Sequence, residues 1–271
     1  MAMTRVTPPA PRASPKSGAD APVRGAAAPS AGADRTPVPD SGAAALGDIT
    51  AWVFDLDNTL YPSHCPLFVQ IDRRMREFIG DFLGLDHTEA RRLQKHYFHD
   101  FGTTLRGLML NHGLDPEVYL EYVHRVDVSV VPPNPALKSV LGRLEGRKVV
   151  FTNGPRSHAE TVLDRIGVRG LFDGIFDVAD ADYIPKPDPE CYRRLVDSHD
   201  IDPCGAVLFE DMARNLEPAA ALGMATVLVI WPAEAQAQAG GEPAPREGVH
   251  HVTDDLVAWL EREAAACSAG G

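Results

Sequence analysis

Residues 54–62 read FDLDNTLYP and place two carboxylates, Asp55 and Asp57, one residue apart at the end of an apolar run. In an extended chain the side chains of residues i and i+2 leave the same side, so this spacing sends both acids into one small space. Like charges that close raise each other's proton affinity unless a cation lies between them. The pair is a poor structural choice and a good chemical one. Three further polar signatures follow: Thr152 and Asn153 in FTNG, Lys186 in IPKPDP, and Glu210 with Asp211 in LFEDM.

Several carboxylates around one point, with no His or Cys beside them in these motifs, form an oxygen donor set that selects Mg²⁺ over zinc or copper. Mg²⁺ takes one or two carboxylates plus a substrate phosphate, which leaves an acid free to attack, and carboxylate nucleophiles that form aspartyl-phosphates are an established covalent strategy. Phosphoryl transfer needs charge stabilisation above all, and Lys186, Thr152 and Asn153 fit that need in kind. Asp57, beside the attacking acid, is placed to protonate a leaving oxygen and then to accept a proton from water.

These residues can act together only if the fold converges them. The run ITAWVFDL reads as a buried strand feeding a loop, and similar short strands recur at RKVVFTNG, GIFDVADAD, AVLFEDM and ATVLVI, with a last one at HHVTDD. Between them lie helical stretches, PALKSVLGRLEG, SHAETVLDRIGV, PECYRRLVDSHD and ARNLEPAAALG, and a final helix DLVAWLEREAAA. Strands alternating with helices of this length predict an α/β fold with a doubly wound, Rossmann-like parallel sheet. Such a sheet delivers its strand ends to one edge, where ligands bind. Residues 65–130 break the alternation with four helical patterns, the first carrying Leu67, Ile71, Met75, Phe78, Ile79 and Phe82 on one side. The expected organisation is an α/β core over 48–64 and 131–265, with an inserted all-helical cap over 65–130.

Residues 1–47 are dominated by Ala, Pro, Gly and Ser and read as a disordered tail. A transit peptide is the alternative, but many prolines and the acids Asp20, Asp34 and Asp40 work against an amphipathic helix. The segment PAEAQAQAGGEPAPREG, residues 232–248, reads as a mobile surface loop. A formal net charge of −12 argues against a nucleic acid polymer as partner, since that recognition starts from a basic footprint. No apolar run approaches a bilayer span, so no membrane partner is expected. The four cysteines, Cys65, Cys191, Cys204 and Cys267, are scattered without a CxxC pair, which suits a reducing cytoplasm.

DLDNT, FTNG, KPDP and the Glu210–Asp211 pair followed by Asn215 resemble, in order and spacing, the four motifs of haloacid dehalogenase-like (HAD) hydrolases, and the helical insert is placed as in their helical-cap subclass. The resemblance covers about residues 50–262. It implies Asp55 as nucleophile and Mg²⁺ ligand, Asp57 as general acid/base that also offers its backbone carbonyl to the metal, Thr152 as phosphate donor and Lys186 as the cation that steadies nucleophile and phosphate. Asp211 is then a metal ligand, with Glu210 reaching the ion through water. Members that cleave carbon–halogen bonds lack an acid at the Asp57 position, because halide leaves without a proton; an alkoxide needs one. The resemblance therefore implies a phosphatase. NTLYP and the stretch YFHDFGTTLRGLMLNHGLDPEVYLEYVH are similar to pyrimidine 5′-nucleotidase-like members, which implies UMP or CMP as substrate. A monomer or homodimer is expected. Arg106, within TTLRGL, is a candidate for a second anionic or carbonyl group of the substrate. Another small phosphate ester (a sugar phosphate, phosphoglycolate or a vitamin phosphate) is the alternative substrate.

Each residue also has a plainer reading. The Asp pair could start a turn, Lys186 could be a solvated loop lysine, and Glu210 with Asp211 could cap the helix after Ala213. Tyr97 and Phe98 read as cap core rather than a base-stacking platform. Four motifs in order favour the chemical reading.

Overall fold

The computed structural model describes residues 48–231 and 247–269. The expected tail at 1–47 and residues 232–246 of the expected surface loop lie outside the described residues. Six strands form one parallel sheet in the order β3-β2-β1-β4-β5-β6. They are β1 (Ala51–Phe54), β2 (Arg147–Phe151), β3 (Gly174–Phe176), β4 (Ala206–Glu210), β5 (Ala225–Val229) and β6 (His251–Thr253).

Period-two alternation in the strands builds a layer on each face of the sheet. Trp52, Phe54, Val150, Val207 and Phe209 pack with one set of helices: α5 (Pro135–Leu141), α6 (Arg156–Ile166) and the C-terminal helix Leu256–Ala269. The intervening residues Ala51, Val53, Val149, Phe151 and Leu208 face α7 (Pro189–His199) and α8 (Glu217–Ala221). The chain winds outward from β1 to β2 and β3, then returns across β1 to β4. The switch point therefore lies at the carboxyl ends of β1, β2 and β4, where a ligand crevice is expected.

Four helices interrupt the core after β1: α1 (Leu67–Leu83), α2 (His87–Phe101), α3 (Thr104–His112) and α4 (Pro116–Val123). Their boundaries are written in polar residues. Asp86 and Glu89 form a reciprocal capping box at α2, Thr103 and Asp115 cap α3 and α4, and Gly84 and Gly113 end α1 and α3 in left-handed conformation. The unit has a core of its own, with Ile79, Leu108, Tyr119 and Val123 at its centre, and Val178 of the α/β core joins it. No helix among the described residues is long and apolar enough to cross a membrane.

Four expectations differ. The helix expected over PALKSVLGRLEG ends at Leu141, with Gly142 as its C-cap. The helix at 213–223 is a 3₁₀ turn, Ala213–Asn215, followed by the five-residue α8; Pro218 sits in the first turn of α8 and the Asn215 side chain is engaged elsewhere. The strand after Gly174 stops at Phe176, because Asp177 Oδ1 accepts the amides of Ala179 and Asp180 and turns the chain. Phe82, expected on the buried face of α1, is 42% exposed and stacks on Phe78 at 5.7 Å.

Gly107 lets α2 and α3 approach: a Cβ there would stand 2.4 Å from Tyr97 Cγ and 2.5 Å from Tyr97 Cβ. At an exposed helix position Gly→Ala stabilises by about 1 kcal/mol. At Gly107 overpacking dominates, and Gly107→Ala is expected to cost roughly 1–3 kcal/mol in a urea unfolding titration.

Candidate active site

The parallel strands carry their polar ends to one edge. Asp55 follows β1 with its amide still bonded to Phe209 O at 2.9 Å, Thr152 follows β2, and Glu210 closes β4 with Asp211 next in the chain. The strand pleat is not what pairs Asp55 with Asp57, because β1 ends at Phe54. A turn over residues 56–60 does so instead, with the amides of Thr59 and Leu60 on Leu56 O and Asn58 in left-handed conformation at φ 65°. That turn lets Thr59 Oγ1 reach back to donate to Asp55 Oδ2 at 2.9 Å, and Tyr61 OH to Asp57 Oδ1 at 2.6 Å.

Lys186 is the hub. Its ammonium, 1% exposed, donates to Asp55 Oδ1 at 2.7 Å, Glu210 Oε1 at 2.9 Å and Phe151 O at 2.9 Å. It also lies over the Phe151 ring, 4.8 Å from the centroid. Burial disfavours the charged ammonium, but Asp55 and Glu210 outweigh it and raise the Lys186 pKa above its ordinary value. Asn153 holds the backbone of this residue from both sides: its Oδ1 accepts Lys186 N at 2.9 Å and its Nδ2 donates to Lys186 O at 3.3 Å. The Asn153 side chain, expected at the substrate phosphate, is thus committed to aiming Lys186.

Glu210 is satisfied by the protein. Oε1 accepts from Lys186 and from Asn215 Nδ2 at 2.6 Å, and Oε2 accepts the Met212 amide at 2.7 Å. Asp55, Glu210 and Asp211 each offer an oxygen within 4.8 Å of the others. Glu210 carries three hydrogen bonds and Asp55 two, so Asp55 and Asp211 are the carboxylates with more lone pairs open to a cation. Burial, only partly offset by Lys186 and reinforced by Glu210, pushes the Asp55 pKa up to about 7. Burial, Glu210 and Asp55 likewise raise Asp211 well above the carboxylate range. Two acids strained toward neutrality in an all-oxygen cluster fit a hard divalent cation such as Mg²⁺, which would relieve both.

Asp57 behaves oppositely. Burial raises its pKa, but His158, with Nε2 3.0 Å from Oδ1, and the Tyr61 hydroxyl outweigh burial and leave it below the ordinary value. His124, at the end of α4, stands against His158 with ring centroids 4.7 Å apart. Thr152 is 2% exposed and its Oγ1 accepts the Gly154 amide at 3.0 Å, which leaves the hydroxyl proton available to a ligand.

Arg106 is not tied to this cluster; its amide donates to Thr103 Oγ1 at 3.2 Å, and no hydrogen bond or ion pair engages its side chain among the described residues. The turn just before it does touch the site, since a Cβ on Gly102 would stand 3.2 Å from Lys186 O. Tyr97 belongs to the helical core as expected, whereas Phe98 lies under the Arg214 guanidinium, 4.3 Å away, and Arg214 also donates to Gly102 O at 3.3 Å. Sequence reading missed Thr59, Tyr61, His124 and His158. The first two carried a usable signal, because each stands four residues after the acid it serves.

Replacing Lys186 with Met leaves Asp55 and Glu210 facing each other without a counter-charge. Unfolding in urea is expected to show a loss on the order of 3–5 kcal/mol, part of which returns when Glu210→Gln is added. The raised Asp55 pKa carries a pH signature. The unfolded chain ionises this acid near 3.8 and the metal-free folded chain near about 7, so the folded state binds more protons between those values and stability falls as pH rises through them. A divalent cation must displace those protons. The thermal shift produced by Mg²⁺ is therefore expected to be small at about pH 5 and to grow to a plateau above about 7; a shift independent of pH would contradict this.

A family model for haloacid dehalogenase-like hydrolases matches residues 49–223. The chain is 28% identical over 193 residues to Phosphate metabolism protein 8 of Saccharomyces cerevisiae, covering 65% of this chain and 60% of that protein. It is 43% identical over 74 residues to Enolase-phosphatase E1 of Frankia alni, which is 27% of this chain and 30% of the relative. A third match, 32% over 90 residues, is to Validoxylamine A 7′-phosphate phosphatase of Streptomyces hygroscopicus subsp. limoneus, with 33% and 42% covered. The chain thus spans less than two thirds of each of these relatives. Among solved structures, L-2-haloacid dehalogenase of Xanthobacter autotrophicus superposes with a TM-score of 0.50 at 17% identity, over 79% of this chain and 97% of the other, a likeness of fold alone. With the family model spanning well over half of its length, this chain belongs to the haloacid dehalogenase-like hydrolases.

Proposed function

We propose that the protein is a Mg²⁺-dependent phosphomonoesterase that works through an aspartyl-phosphate on Asp55, with pyrimidine nucleoside monophosphates as its substrates. The observation that carries this reading is the division between the two acids of FDLDNT. Asp55 is held by Lys186 and Thr59 beside Asp211, while Asp57, two residues on, has a separate set of donors. Two carboxyl groups in contrasting environments suit one nucleophile and one proton carrier.

In this reading Asp55 attacks phosphorus, the bond to the leaving oxygen breaks, and that oxygen takes the proton of Asp57. Water then attacks the aspartyl-phosphate, returns a proton to Asp57, and frees inorganic phosphate and the Asp55 carboxylate. The Thr152 hydroxyl serves the phosphoryl oxygens, Lys186, with its three N–H groups on Asp55, Glu210 and Phe151 O, steadies nucleophile and phosphate by its charge, and Asn153 acts by fixing Lys186. Asp55, Asp211 and the Asp57 carbonyl would hold Mg²⁺, which when bound offsets charge on the transferring group. Asp57 is ionised in the ligand-free site, and an arriving phosphate dianion raises its proton affinity by like-charge repulsion, so that it enters the reaction as an acid.

The helical unit acts as a cap over this edge. The narrower substrate assignment rests on the resemblance of NTLYP and TTLRGL to pyrimidine 5′-nucleotidase-like enzymes, with Arg106 as the candidate for the substrate's second polar group. Two of the relatives are named as phosphatases, which favours a phosphate ester over a haloacid; another small ester is the alternative within the same chemistry. Cys65, Cys191 and Cys204 are free thiols, in keeping with a cytoplasmic setting.

Asp55→Asn is expected to lower Mg²⁺-dependent release of phosphate from UMP by at least about a thousandfold with an unchanged circular dichroism spectrum; substantial EDTA-sensitive turnover in that variant would rule out this nucleophile. A panel of UMP, CMP, IMP, AMP and sugar phosphates tests the substrate class, and equal kcat/KM across it would leave the phosphatase without its pyrimidine preference.

A further inference from the structure

Asp57 can serve as a proton carrier only if one of its oxygens is turned toward the leaving group, and the structure shows what turns it. Both donors converge on the same atom, Oδ1: Tyr61 OH at 2.6 Å and His158 Nε2 at 3.0 Å. Among the described residues nothing donates to Oδ2. A carboxylate pinned through one oxygen from two directions loses rotation about its χ2 axis, and its second oxygen is left facing outward. The side chain of Asp57 retains 17% exposure, against 1% for His158, so the opening lies on the acid's side.

His158 is itself held in place. It lies in the first turn of α6, 4% exposed, and the His124 ring packs on it at 4.7 Å. His124 is anchored by Nδ1 on Leu120 O at 2.9 Å, which leaves its own Nε2 unprotonated when the ring is neutral. A Cβ on Gly154 would stand 3.6 Å from His124 Nε2 and 3.6 Å from His158 Cδ2, so both rings border the loop after β2. The helical unit therefore supplies the backing for the residue that orients the acid.

We infer that His158 is a positioning residue for Asp57, a role that rests on the phosphatase reading above: with Tyr61 it fixes Oδ1, so that Oδ2 meets the leaving oxygen, and His124 of the cap keeps the His158 ring in register. The geometry ties proton delivery to the helical unit without any cap residue touching the transferred proton. A histidine buried only for packing would not need its nitrogen on the acid.

The test compares two polar replacements of similar size. The amide nitrogen of His158→Gln can reach the position of Nε2, whereas that of His158→Asn falls short of Asp57. Transfer of the phosphoryl group to the enzyme is measured in single-turnover mode with Mg²⁺. The substrates are para-nitrophenyl phosphate, whose phenolate departs without a proton, and an alkyl monophosphate, UMP first and ribose phosphate or glycerol phosphate if these turn over faster. His158→Asn is expected to slow transfer from the alkyl ester by roughly tenfold to a hundredfold with little change in KM, and to leave nitrophenyl transfer within about threefold. His158→Gln is expected to recover most of the alkyl rate. Equal losses on both esters, no loss on either, or a failure of Gln to outperform Asn would each overturn the inference. If instead Asp57→Asn shows the ester-selective loss and His158→Asn does not, the phosphatase reading stands without this role. Absence of metal-dependent turnover by the unmodified protein on any of these esters would remove both.

Discussion

An ammonium group buried between two carboxylates is the interaction on which the rest of this site depends. Lys186 sits 1% exposed with Asp55 and Glu210 on either side, and none of the three could remain charged there alone. Because the partners come from β1, from β4 and from the loop before α7, their attraction draws three separate pieces of chain together. Asn153, at the end of β2, adds a fourth by clamping the Lys186 backbone. Glu210 is the member that makes the arrangement stable. Its oxygens accept from Lys186, Asn215 and the Met212 amide, whereas those of Asp55 accept one bond each, from Lys186 and Thr59.

The helical unit meets this cluster at particular atoms. Gly102 passes so close to Lys186 O that a side chain would crowd it, Arg214 stacks on Phe98 and reaches the Gly102 carbonyl, and His124 leans on His158. These contacts reach the residues that hold the acids, Lys186 and His158. The unit is held together by its own apolar core, with Ile79, Leu108 and Tyr119 at its centre.

Fold and reaction separate clearly in this family. The chain superposes on L-2-haloacid dehalogenase at a TM-score of 0.50 with 17% identity, and that likeness says nothing of which bond is broken. The distinction rests on Asp57 and its surroundings. A dehalogenation has no use for a proton donor beside the nucleophile, whereas an alkoxide leaving group does, and this chain surrounds the second acid with Tyr61 and His158.

Much of this was legible in the order of the residues. The alternation of AWVF, RKVVF, AVLFE and ATVLV with amphipathic stretches marks a parallel sheet, and polar residues placed directly after those strands must meet at one edge. The helical insert was equally plain, because apolar residues such as Leu67, Ile71, Phe78 and Ile79 recur at helical spacing and no strand pattern interrupts residues 65–130. Local rules failed where a side chain had a distant engagement. Asn215 bonds Glu210 and the expected helix gives way to a 3₁₀ turn, and Asp177 accepts nearby amides and ends β3 early. What the sequence determined alone, therefore, is which elements form and which chemical groups stand at their ends, since periodicity and capping act over a few residues. Tertiary structure decided the partners: Glu210 with Lys186 and Asn215, Asn153 with the Lys186 backbone, and His158 with Asp57 across 101 positions of chain. Those choices depend on burial and on distances between atoms far apart in sequence, and no local pattern encodes them.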